Sequence, residues 1–125
     1  MNEEQISQYK TILEDELTSL TETLEEIATL DKSTNDWVAV PTVDSTSADE
    51  NIEADGVEEW NERRATVGQL ETRYRNVQRA LHKITEGSFG VCEISGKEIE
   101  QTRLEANPAA RTSLEHIDRE TELPL

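Results

Sequence analysis

A chain of 125 residues suffices for one small domain, or for a short domain with an extended element, since domains typically run to about 100–150 residues. Its 28 acidic against 12 basic side chains give a formal net charge of −16, which sets unaided binding to nucleic acid phosphates or an anionic membrane at a disadvantage. With 34% hydrophobic and 4% aromatic residues there is material for a narrow apolar seam but not for a thick core, which favours long helices over a sheet sandwich.

The charge imbalance sits in one half. Residues 1–62 carry 18 acids and two bases, Lys10 and Lys32, whereas residues 63–125 carry ten of each. Residues 43–60 hold seven acids and no base, and Arg63, Arg64, Arg73, Arg75, Arg79 and Lys83 follow. A solvated loop beside a salt-bridged helix pair accounts for that pattern as readily as a functional acidic apex does. No apolar run approaches the ~18 residues of a membrane span, and the Met1-Asn2-Glu3-Glu4 start lacks the basic and apolar regions of a signal peptide. Cys92, the only cysteine, forms no internal disulfide and fits a reducing compartment. A cytoplasmic protein is expected.

In chain order, Asn2 and Gln5 resemble a capping box, after which Ile6, Tyr9, Leu13, Leu17, Leu20, Leu24 and Ile27 recur at steps of three and four. This predicts a long first helix with a near-heptad seam that faces one partner. Residues 31–48 read as a connector, because Asp31 to Asp36 and Pro41 to Ser47 are turn formers without a sustained period. A second helix can begin near Ser47 or Asp49. From Val67 the stripe Val67, Leu70, Tyr74, Val77, Leu81 and Ile84 is unbroken, with Gly87 beyond the end. Two helices with one seam each cover each other most simply as an antiparallel coiled-coil hairpin, in which acids of helix one flank bases of helix two. Trp37 and Trp60 are expected to plug the far end of that hairpin. After Gly87 comes a short, glycine-punctuated apolar knuckle. Asn107-Pro108 is expected to open a final short helix through Ala109, Ala110, Leu114 and Ile117.

The stretch Ile84 to Ile99, continuing through Arg103-Leu104-Glu105-Ala106-Asn107-Pro108-Ala109-Ala110-Arg111, resembles the DksA/TraR family of bacterial transcription regulators. The segment Asp49 to Asp55 resembles the family's coiled-coil tip. That resemblance implies a helical hairpin over residues 1–86, with connector and tip at about 31–56, and a zinc-finger-like lobe with a C-terminal helix over residues 87–125. It implies a regulator that binds RNA polymerase in the secondary channel without touching DNA, with Asp49, Glu53 and Asp55 as the tip acids. The family's zinc positions correspond here to Cys92, Ser95, Ser113 and His116. A serine hydroxyl is a poor zinc donor, so only Cys92 and His116 could serve and no metal is expected. A metal-free lobe held by Phe89, Val91, Ile94, Ile99 and Leu104 is expected instead.

The inventory shows no Gly-rich phosphate loop and no spaced nucleophile and base, so no enzymatic activity is expected. Cys92 reads as a small buried hydrophobe. Two function classes stand: an all-α, monomeric polymerase-binding regulator, and a non-catalytic interaction hairpin whose seam pairs chains and whose acidic apex only solubilises.

Overall fold

The computed structural model of the chain describes residues 1–40 and 53–124, and side chains from residue 57 in the second stretch. Helix α1 spans Glu3–Ile27. Its start is a reciprocal cap, with the Gln5 N–H donating to Asn2 Oδ1 at 2.8 Å and the Asn2 N–H to Gln5 Oε1 at 3.2 Å, which satisfies two of the donors a helix start leaves open. Tyr9, Leu13, Leu20 and Leu24 are its buried positions, the stripe expected from the three- and four-residue steps.

The all-α expectation needs one correction. The residues between the first stripe and the connector, together with the start of the connector, form a two-stranded antiparallel sheet, β1 (Ala28–Asp31) and β2 (Asp36–Ala39), with Ala28 opposite Ala39 and Leu30 opposite Trp37. Those four side chains share one face, and Ala28 and Trp37 are buried. Asp31 builds the turn by accepting from the Ser33 N–H at 3.0 Å and the Ser33 hydroxyl at 2.6 Å. Asn35 closes it in the left-handed region, at φ 60°, where asparagine is tolerated better than most residues. A two-stranded hairpin is marginal alone. This one is fastened at its exit, where Arg63 Nη1 donates to the Val40 carbonyl at 2.9 Å.

Helix α2 is described over Glu53–Glu86, and the expected caps at Ser47 and Asp49 lie outside the described residues. Val67, Tyr74, Val77 and Ala80 are buried, while Leu70, Leu81 and Ile84 are half-buried. The helix ends at Gly87, φ +83°. The Ser88 N–H reaches back to the Lys83 carbonyl at 2.9 Å and the Gly87 N–H to that of Ile84 at 3.3 Å, the paired bonds of a Schellman end.

Two compact units result: Ser19–Arg73, and Met1–Thr18 together with Tyr74–Leu125. Each groups one part of α1 with one part of α2. In the second unit the lobe core is Tyr9, Cys92, Ile99 and Leu104, with Phe89 and Ile94 against it. Tyr9 of α1 meets Phe89 at 5.6 Å between ring centroids, so the first helix seals the knuckle.

The end of the lobe differs from expectation. A six-residue helix, α3 (Gln101–Ala106), precedes Asn107, which terminates it with its N–H on the Arg103 carbonyl. Asn107 then makes one tight turn, its Oδ1 accepting from the Ala109 N–H at 3.1 Å. Residues 109–113 are non-helical and buried. Their carbonyls are committed elsewhere: that of Arg111 accepts from the Glu93 N–H at 2.9 Å and that of Thr112 from Arg103 Nε at 2.5 Å. Carbonyls so engaged are unavailable to a helical ladder, and helical structure resumes only as a 3-10 helix over Leu114–Glu122, kinked at His116.

Candidate functional site: the hairpin apex and the C-terminal lobe

Of the three tip acids, Asp49 lies outside the described residues. Glu53 and Asp55 fall in the first turn of α2, and their side chains lie outside the description.

The lobe is better defined. The knuckle is a tight loop between Gly90 (φ +85°) and Gly96 (φ +73°). The Ile99 N–H bonds the Gly90 carbonyl at 2.7 Å and the Cys92 N–H that of Lys97 at 2.8 Å. The positive φ of Gly90 lies in the region that L side chains rarely adopt, so this position favours glycine.

Three of the four positions at which the family pattern places zinc donors converge. Cys92 is 1% exposed, and its sulfur accepts from the Ser95 N–H at 3.5 Å. Burial pushes the Cys92 thiol up, but hydrogen bonds from the Ser95 hydroxyl and from the backbone N–H groups of Ser95, Ser113 and Ile94 outweigh it and bring the thiol down to about 6. Cys92 is therefore buried as expected, yet seated among donors and not in a purely apolar pocket. Ser113 is buried beside it, and the His116 N–H donates to the Ser113 carbonyl at 3.0 Å. The donor chemistry does not fit structural zinc, which takes four thiolate, imidazole or carboxylate ligands: Ser95 and Ser113 bring neutral hydroxyls. Among the described residues no three His, Cys, Asp or Glu side chains converge as a metal site.

Sequence reasoning missed a charged network around the same positions. Arg111, with a side chain 4% exposed, donates from Nε to Glu93 Oε2 at 2.8 Å and from Nη2 to Glu93 Oε1 at 2.9 Å. Lys83 of α2 adds a third bond to Glu93 Oε2 at 2.8 Å. Burial pushes the Glu93 carboxyl up, but the bonds and charges of Arg111 and Lys83 hold it down at about 2. Arg103 Nη2 donates to Glu120 Oε2 at 3.0 Å, and Glu120 Oε1 accepts from the Arg111 N–H. Glu100 Oε2 accepts from the Leu114 N–H at 2.9 Å. Arg79 is lowered, chiefly by burial and then by the neighbouring Arg111 charge. The available signal was charged residues flanking an apolar knuckle, but their pairings span up to 18 positions, beyond any local rule.

No protein-family model matches the chain. General stress protein 16O of Bacillus subtilis is 47% identical over 53 residues, 38% of this chain and 32% of that protein. The uncharacterized protein YteA of the same organism is 44% identical over 46 residues, 37% of this chain and 19% of that one. The RNA polymerase-binding transcription factor DksA of Caulobacter vibrioides is 41% identical over 58 residues, 40% of this chain and 41% of that one. The chain thus spans less than half the length of these curated relatives. Among solved structures, transcription factor DksA2 from Pseudomonas aeruginosa superposes with a TM-score of 0.75 at 19% identity, over 98% of this chain and 87% of that one. Dks from Chlamydia trachomatis, described as an RNA polymerase binding protein and transcriptional regulator, gives 0.58 at 22%, over 98% and 93%. The chain is thus similar to the DksA proteins in fold along nearly its whole length, and to DksA in sequence over about two fifths of it.

Proposed function

We propose that this chain is a non-catalytic transcription regulator that binds RNA polymerase and presents the acidic apex of its helical hairpin to the secondary channel. The observation that supports this most is the fold likeness to DksA2 over 98% of the chain, joined to 41% identity over 58 residues with a protein named as RNA polymerase-binding. The acids assigned to the contact are Asp49, Glu53 and Asp55. Seven acids without a base over residues 43–60 make an apex that a cationic or metal-lined channel attracts. A 25-residue helix precedes that segment and a 34-residue helix carries its end. Among the described residues no helix is long and apolar enough to cross a membrane. The working form is taken to be a cytoplasmic monomer with no direct DNA contact.

Association of the purified chain with core polymerase, followed at micromolar concentration and two salt strengths, tests this reading. The triple variant Asp49→Asn, Glu53→Gln, Asp55→Asn should keep the far-ultraviolet helical signal, associate more slowly at low salt and lose the effect on transcription. No salt-sensitive association, or a neutralised apex that regulates as the original does, overturns the reading and leaves an interaction hairpin with a shared architecture.

A further inference from the structure

We propose that Arg111 and Glu93 form a guanidinium–carboxylate clasp that closes the C-terminal lobe in place of zinc, so that folding of this lobe is independent of metal. A structural zinc in such a lobe would tie the knuckle, where Cys92 and Ser95 stand, to the return segment that carries Ser113 and His116. Here the donor set cannot do so, yet the same two segments are cross-linked one and two residues away. Glu93 follows Cys92, and Arg111 precedes Ser113 by two positions. Two side-chain bonds of 2.8 and 2.9 Å and a backbone bond of 2.9 Å from the Glu93 N–H to the Arg111 carbonyl join them.

The geometry makes this a joint and not a surface ion pair. Two parallel N–H···O bonds fix distance and orientation together. The arginine side chain is 4% exposed and the glutamate 24%, so the guanidinium end is shielded from water. The rest of the segment is braced in the same sense. Arg103, itself 9% exposed, holds the Thr112 carbonyl through Nε at 2.5 Å, and its Nη2 reaches Glu120 at 3.0 Å. Lys83 fastens the clasp to α2 from the other side, at 2.8 Å. A lysine at position 111 would keep the charge and lose the planar fork, which separates a clasp from a mere counter-ion.

Thermal unfolding of the full chain, purified without chelator, is the test, with elemental analysis alongside. The expected result is no stoichiometric zinc and a melting temperature that moves by less than about 1 °C on adding chelator or zinc, because a folded-state ligand of any affinity would raise it. Arg111→Lys and Glu93→Gln should each lower it by about 5 °C or more. The double variant Glu93→Gln, Arg111→Lys should lose less than the sum of its singles, as residues in one pair do. One zinc per chain whose removal drops the melting temperature overturns the proposal, as does Arg111→Lys melting like the original, or losses that add. Should the variants fail to fold, amide exchange on the unmodified chain decides. Protection at residues 91–96 and 109–113 retained in chelator upholds the clasp, and protection lost there refutes it.

Discussion

Lys83, in the last turn of α2, and Glu93, in the knuckle, meet at 2.8 Å with side chains 14% and 24% exposed. The long helix is thereby fastened to the lobe by a charge that Arg111 already engages. Three hydrogen bonds on one carboxylate favour its ionised form.

The pH dependence follows in sign and window. A carboxyl lowered to about 2 in the folded chain from 4.5 contributes stability that is fully present above the unfolded value and is lost as pH falls toward 2. The difference in unfolding free energy between the original and Glu93→Gln should be largest at pH 6 and should shrink steadily below pH 4.5. Denaturant titrations at a series of pH values measure it, and a difference constant down to pH 2.5 contradicts the assignment.

Cys92 carries the opposite kind of readout, a group whose titration is visible directly. With the thiol brought down to about 6 by donors from Ser95, Ser113 and Ile94, thiolate absorbance should rise with a midpoint near that pH. Because the folded value lies below the unfolded one, this group adds stability progressively above about pH 6 and fully above 9. Ser95→Ala should move the midpoint upward. At 1% exposure the thiol should nonetheless alkylate slowly in the folded chain, since reactivity needs access as well as charge.

Restoring thiols tests the lobe's spacing. Ser95→Cys with Ser113→Cys gives three cysteines and His116, an established zinc set, and the sulfur of Cys92 already has Ser95 and Ser113 against it. The double variant should retain about one zinc per chain through dialysis. A chain that retains none would show that the kink at His116 turns the fourth donor away.

The seam can be graded by burial. Leu13 is fully buried, so Leu13→Ala should cost about 2–5 kcal/mol in denaturant unfolding. Leu70 is only half-buried, and Leu70→Ala should cost about 1 kcal/mol. Equal losses would mean that the buried face of α2 runs differently from Val67, Tyr74, Val77 and Ala80.

The helices were legible because their signal is long. Seven apolar positions in α1 and six in α2 repeat one step pattern, and a cap and a glycine mark the first start and the second end. The β-hairpin was not legible, since each strand has four residues and Asp31 to Asp36 reads as loop on either account. A two-residue alternation across Trp37-Val38-Ala39 was its only trace. Asn107-Pro108 misled because asparagine stops a helix as readily as it starts one. What decides between the two is whether the following carbonyls are free, and Glu93 and Arg103, distant in sequence, had taken them. Cys92 and Ser113 were placed by motif. Glu93 and Arg111 both lie within that motif, but nothing in a linear reading pairs position 93 with 111.

The C-terminal 3-10 helix buries none of its residues, and Leu114 and Ile117 stand 51% and 42% exposed. Its attachments are polar: Glu120 to Arg103 and to the Arg111 N–H, and the Leu114 N–H to Glu100. Such a segment can peel away without wetting a core. Its release is governed by these polar bonds, so a single Glu120→Gln exchange should free it at temperatures where the lobe beneath stays folded.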